Sequence, residues 1–121
     1  KSRDYVLVYD SEDEIKNIQI NRNDFDQINI GTGGVIITSR GKNDDFVSRF
    51  FTPQASILED PVTGSAHCSL IPFWSERLQK NNLTAKQLSE RGGVLNCVNK
   101  KDRVIISGQA RTYSIGSFWI E

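Results

Sequence analysis

The sequence predicts an α+β domain: a curled, largely antiparallel or mixed β-sheet wrapped around one central buried helix. Two observations predict it. Short β-branched and aromatic runs occur both before and after one long helical segment. That segment is apolar on nearly every side through its first half, so other elements must cover it.

Each element follows in order. Tyr5 to Tyr9 (Tyr-Val-Leu-Val-Tyr) is a strand by composition. Asp10-Ser11 then offers helix N-caps with acids in the following turn, which predicts a short helix through Ile15 and Ile18. Asn23 or Asp24 caps a second short helix holding Phe25 and Ile28. Gly31-Thr32-Gly33-Gly34 breaks the chain before Val35-Ile36-Ile37-Thr38, a strand apolar on both faces and therefore central. The glycine run precedes a strand and lacks the following Gly-Lys-Ser/Thr, so it is a loop and not a phosphate cradle. After a turn at Gly41 to Asp45, Phe46 to Thr52 alternates. Phe46, Ser48 and Phe50 share one face, and Val47, Arg49 and Phe51 the other.

Pro53 to Pro61 is irregular. The long helix runs from Thr63 or Gly64 to about Lys80, with Pro72 inside it removing one hydrogen bond and kinking it. Thr84 to Ser89, Gly93 to Val98, Arg103 to Ser107 and Arg111 to Ile120 are successive strands, with a turn at Asn99 to Asp102.

Composition narrows the function. The 121 residues hold 15 basic and 15 acidic side chains. They are interspersed, and the one basic cluster, Lys100 to Arg103, is interrupted by Asp102. That is no nucleic-acid footprint. Two distant cysteines, Cys68 and Cys97, imply no disulfide framework and suit a reduced cytoplasmic protein. No apolar run is long enough to span a bilayer, and no signal-peptide pattern is present. The chain has no methionine and opens almost directly on a strand, so residues 1–121 are expected to be one domain cut from a longer protein.

The densest chemistry is Glu59-Asp60-Pro61-Val62-Thr63-Gly64-Ser65-Ala66-His67. Pro61 holds Asp60 extended just before the helix. Thr63 can cap the helix, and the amides of Gly64, Ser65 and Ala66 lie at its positive end, a ready anion site. A carboxylate beside an anion site suits acid–base work on a carboxylate-bearing substrate. The same residues also suit a plain loop and cap that start a buried helix.

Ser65 and His67 lie two apart on a helix and do not face each other, so they make no nucleophile–base pair. His67 is expected to be structural. His67, Cys68 and Cys97 fail as metal ligands on count and spacing. Cys68 and Cys97 are expected to be buried, small apolar side chains. Arg49 is either a substrate-carboxylate clamp or, the favoured reading, a structural ion pair. Arg91 has the same ambiguity.

The stretch Glu59 to Cys68, with Phe50-Phe51-Thr52-Pro53 before it, resembles the phenazine-biosynthesis PhzF-like family. So do Pro72-Phe73-Trp74, Gln87-Leu88-Ser89-Glu90-Arg91-Gly92-Gly93 and Gly108-Gln109-Ala110, in the family's order. The resemblance implies a diaminopimelate-epimerase-like fold of two similar domains, with this chain as the C-terminal half. It implies a cofactor-free isomerase, commonly a dimer, acting by proton abstraction and return on a small carboxylate-bearing metabolite. Asp60 matches an acid–base or substrate-binding position. Ser65, with the Gly64–Ala66 amides, matches a substrate-binding one, and Thr63 is expected to bind substrate with them. The other main catalytic residue, a glutamate, and an assisting histidine lie in the N-terminal domain, so this half alone is expected to be inactive. A non-catalytic small-anion-binding or assembly domain of the same fold is the alternative.

Overall fold

Ser11 starts the first helix with a capping box. Its hydroxyl accepts from the Glu14 amide at 3.3 Å, while the Glu14 carboxylate accepts from the Ser11 amide at 2.9 Å. The computed structural model describes residues 3–120. Strand β1 (Tyr5–Val8) precedes helix α1 (Glu12–Asn17), and helix α2 (Arg22–Phe25) follows. The cap of α2 is Asn21, earlier than the Asn23 or Asp24 expected. Asn21 wins because its side chain accepts from the Asn23 amide and also donates to Asp24.

Strands β2 (Val35–Arg40) and β3 (Phe46–Phe51) come next, then helix α3 (Gly64–Leu78) and strands β4 (Asn82–Gln87), β5 (Gly93–Asn99) and β6 (Val104–Ser107). The strands form one six-stranded sheet in chain order. β1 runs parallel to β2, and β3 parallel to β4, while the remaining neighbours are antiparallel. The α+β class and the mixed sheet agree with the sequence. β3 meets β4 over three pairs, Phe46↔Ala85, Val47↔Lys86 and Ser48↔Gln87.

Two cores lie on opposite faces of the sheet. Ile36, Phe46 and Phe50 pack with Ala66, Leu70, Ile71 and Trp74 of α3. Val35, Ile37, Val47 and Phe51 pack with Ile15 of α1 and Phe25 of α2. This is why β2 and β3 are apolar on both faces, and the alternation along β3 assigns each side chain to its core. The buried Thr38 hydroxyl donates to the Val47 carbonyl at 2.7 Å and accepts from Trp74 Nε1 at 3.0 Å, so no polar atom of this pair is stranded.

The glycine loop before β2 is explained by close approach. A Cβ on Gly34 would lie 2.2 Å from Phe50 Cζ, and one on Gly33 would lie 2.2 Å from the Arg3 carbonyl oxygen.

Three expectations are corrected. Helix α3 ends at Leu78, with Gln79 left-handed at its C-cap (φ 53°), not at Lys80. Its first half is not covered on all sides: Gly64, Ser65, Cys68 and Pro72 are exposed. Cys68 is therefore not a buried apolar side chain, whereas Cys97 is buried. Arg111 to Ile120 forms no strand. It is exposed throughout, with Tyr113, Ile115, Phe118, Trp119 and Ile120 all open to solvent. No helix among the described residues is long and apolar enough to cross a membrane.

Candidate active site at the start of helix α3

The chain leaves β3 and turns back beside it. Thr52 N donates to the Leu58 carbonyl at 2.8 Å, and Asp60 N to the Phe50 carbonyl at 3.0 Å. These bonds hold residues 58–60 as a short antiparallel return, with Phe51 paired to Glu59. Side chains alternate along it, so Glu59 and Asp60 point apart.

Glu59 faces the α1 side and binds Arg49 through both oxygens, at 2.7 and 2.9 Å. Arg49 Nη1 also donates to the carbonyls of Ile15 and Ile18, at 3.1 and 2.9 Å, and its guanidinium lies 4.8 Å from the centre of the Phe51 ring. Four of its five N–H donors are engaged, so Arg49 is a structural clasp and not a free clamp for substrate.

Asp60 turns toward the start of α3. Its Oδ2 accepts the Thr63 hydroxyl at 2.5 Å. Among the described residues its Oδ1 has no hydrogen-bond partner, and it is not among the atoms sealed from solvent. Thr63 occupies the N-cap with extended backbone (φ −108°, ψ 96°), yet its side chain makes no capping bond. The expected cap is absent: the hydroxyl is turned to Asp60, to which it donates, and to Gln87 Nε2, from which it accepts.

The next three residues profit from that diversion. Among the described residues, the amides of Gly64, Ser65 and Ala66 donate to no protein acceptor. Gly64 and Ser65 are exposed, and a Cβ on Gly64 would meet nothing within 4 Å. The result is an uncapped helix N-terminus, open to an approaching anion, beside a fixed carboxylate.

Two residues that sequence reasoning missed organise the loop. Gln87, at the end of β4 and 1% exposed, accepts from Thr63 N at 2.8 Å through Oε1. Its Nε2 donates to the Asp60 carbonyl at 2.7 Å and to the Thr63 hydroxyl at 3.2 Å. Ser89 donates to the Pro61 carbonyl at 2.7 Å and accepts from the Gly92 amide at 3.0 Å. The only sequence signal for either was its place in the Gln87–Gly93 stretch.

His67 is fully buried on the α3 face away from Ser65. Its Nδ1 meets the Thr63 carbonyl at 2.8 Å. A carbonyl only accepts, so Nδ1 carries the proton and Nε2, which has no partner among the described residues, carries the lone pair. Burial pulls this imidazole below its ordinary value of 6.5, against the opposing pull of the Thr63 carbonyl. Burial likewise pushes the Cys97 thiol up to about 11, leaving it inert as a nucleophile. No group of three His, Cys, Asp or Glu side chains among the described residues is placed to hold a metal ion.

Arg91 is exposed and makes no ion pair among the described residues. It borders two concavities, one of about 450 Å³ with Glu59, Pro61 and Ser89, and one of about 820 Å³ with Val62, Gly93 and Ile106.

Residues 2–116 match the family model described as Phenazine biosynthesis-like protein (PhzC-PhzF), and the chain belongs to that family. It is 46% identical over 111 residues to an uncharacterized isomerase of Halalkalibacterium halodurans, covering 90% of this chain and 41% of that protein. It is 44% identical over 118 residues to an uncharacterized isomerase of Pseudomonas aeruginosa, covering 97% of this chain and 44% of that one. The crystal structure of a PhzF-family phenazine biosynthesis protein from Enterococcus faecalis matches with a TM-score of 0.87 at 42% identity, covering 98% of this chain and 45% of that chain. The chain thus spans less than half the length of these relatives.

Proposed function

We propose that the chain forms one wall of the active site of a cofactor-independent isomerase, which moves a proton on a small carboxylate-bearing substrate. The observation that carries this reading is the diversion of the Thr63 hydroxyl. It removes the one cap α3 could have had, so that among the described residues the Gly64, Ser65 and Ala66 amides are all unpartnered at the positive end of α3, and it holds the Asp60 carboxylate next to that end. The isomerase names of two relatives support the same class.

In this reading the substrate carboxylate rests on the three amides. Asp60 Oδ1 takes a proton from a nearby carbon, and the electron pair of that C–H bond spreads toward the substrate's own carboxylate or an adjoining double bond. The amides stabilise the charge that develops there. An acid on a second domain returns a proton, at another carbon or from the other face. Asp60 is the catalytic residue, Gly64, Ser65 and Ala66 bind substrate, and Thr63 orients Asp60.

The test is an NMR titration of the chain with small amino- and hydroxy-carboxylates. Saturable shifts are expected at the Gly64, Ser65 and Ala66 amides, and none with the matching neutral amides. The complete two-domain protein in heavy water should then place deuterium on the bound substrate, and Asp60→Asn should stop it. Binding without exchange would leave a non-catalytic anion-binding domain. No shifts at high ligand concentration would overturn the carboxylate cradle.

A further inference from the structure

We infer that Gln87 is the positioning residue that selects which oxygen of Asp60 exchanges protons. The inference rests on the role proposed for Asp60 and adds the device that orients it.

The Thr63 backbone N–H can only donate, so the Gln87 atom facing it at 2.8 Å must be the carbonyl Oε1. This fixes the amide without ambiguity. The Gln87 nitrogen then faces the Asp60 carbonyl, which can only accept, at 2.7 Å. The second hydrogen of that nitrogen is directed at the Thr63 hydroxyl at 3.2 Å. A hydroxyl that accepts from Gln87 has its own single hydrogen free to point elsewhere. The acceptor in reach is Asp60 Oδ2 at 2.5 Å.

The chain of directions ends on one oxygen. Oδ2 is occupied as an acceptor, and Oδ1 is the oxygen without a partner among the described residues. A proton taken from substrate therefore arrives at Oδ1 while Oδ2 remains anchored. Gln87 is almost completely buried and touches no open surface, so it acts only through Thr63 and Asp60. The same amide holds the backbone at both ends of the Asp60–Thr63 turn. Orientation of the carboxylate and of the helix start is thus set by one side chain from a neighbouring strand.

The test compares Thr63→Val, Thr63→Ser, Gln87→Leu and the Gln87→Leu/Thr63→Val double variant. Thr63→Val removes only the hydroxyl and leaves both backbone bonds of Gln87 in place, so it remains informative if Gln87→Leu fails to fold. In the complete two-domain protein, Thr63→Val and Gln87→Leu should each slow deuterium transfer to substrate on the order of 10²-fold, as misplacement of a reacting group does. Carboxylate affinity, read at the Gly64–Ala66 amides, should stay within about 3-fold, because those amides remain free. The double variant should be no slower than the worse single one, since both cut the same chain. Thr63→Ser should restore the rate. Multiplying losses, a rate that follows affinity, or unchanged exchange in Thr63→Val would overturn the inference.

A separate readout keeps the two proposals apart. The Thr63 hydroxyl proton should be visible by NMR in the unliganded chain and lost to rapid exchange in Gln87→Leu. If it is visible and released in this way, yet the wild-type protein transfers no deuterium, the acid–base reading of Asp60 fails while the orienting device stands. If it is never visible in the wild type, the device itself is wrong.

Discussion

Arg49 and His67 show how much a single side chain can settle. Arg49 satisfies two carboxylate oxygens and two carbonyls at the end of α1, and it is only 14% exposed. Arg49→Ala should cost about 2–4 kcal/mol in chemical denaturation, because Glu59 and two carbonyls lose their partner. Arg49→Lys should recover little, since an ammonium cannot span the same four acceptors. His67 sets a pH window. Its folded value lies below its unfolded value of 6.5, so the unfolded chain binds more protons as the solution is acidified. Stability contributed by the neutral ring is therefore full above pH 6.5 and falls as pH drops from there toward the lower folded value. The slope reaches at most about 1.4 kcal/mol per pH unit. Denaturant midpoints at pH 7.5 and 5.5 should differ in the wild type and converge in His67→Gln. The sequence made Arg49 legible as an ion-pair candidate and His67 as structural. It could not show which partners they meet, because Ile15, Ile18 and Glu59 are brought to Arg49 only by the turn of α1 and the return at residues 58–60.

At the scale of elements, the start of α3 combines a legible part with a hidden one. Asp60, Pro61 and the small residues that follow announce a helix start. Nothing in that local pattern says that Thr63 forgoes its cap, because the decision rests with Gln87, 24 residues away in sequence. The strand expected at Arg111 to Ile120 failed for a related reason. A β-like composition is not enough, because a strand needs a facing row of hydrogen bonds, and among the described residues this segment has none. The exposure of Cys68 was hidden too: apolar residues on every side predict cover, yet the face of α3 that carries Gly64, Ser65, Cys68 and Pro72 is left open. The contact between β5 and the loop gives a further test. A Cβ on Gly93 would lie 2.4 Å from Val62 Cγ2, so Gly93→Ala must push the residues between Asp60 and Thr63. It should lower the melting temperature by a few degrees, for about 1–3 kcal/mol of overpacking, and shift the Thr63 and Gly64 amide resonances.

The whole molecule is organised by β2 and β3, each buried on both faces and shared by the two cores. That arrangement was readable in the alternation along β3, where Phe46 and Phe50 were set against Val47 and Phe51. The order of strands was less readable, since parallel pairing of β1 with β2 and of β3 with β4 depends on crossovers that no local pattern encodes. Asp45 fastens the β3–β4 pair at one end. Its amide donates to the Thr84 carbonyl at 2.9 Å, its carboxylate accepts from Thr84 N at 2.7 Å, and it pairs with Lys80 at 2.6 Å. Burial raises the Asp45 carboxyl, but Lys80 and the Thr84 amide outweigh it and hold the group below its ordinary value of 3.8. Its contribution is therefore present above that value and lost as pH falls through the lower folded one. Asp45→Ala should speed hydrogen exchange at the β3–β4 amides about ten-fold at neutral pH, with smaller changes inside the β4–β5–β6 meander.

The three-residue pairing of β3 with β4 also makes the sheet two halves joined at a narrow seam. Asp45 latches one end of that seam, and at the other Leu88 N bonds the Ser48 carbonyl beside Gln87. Gln87 reaches from the later half into the turn that carries Asp60, so the Asp60 carboxylate is registered against both. The core under α3 spans that seam, joining Phe46 and Phe50 to Leu83, Ala85 and Leu95, so a slide of one half past the other would strain that core and turn Asp60 together.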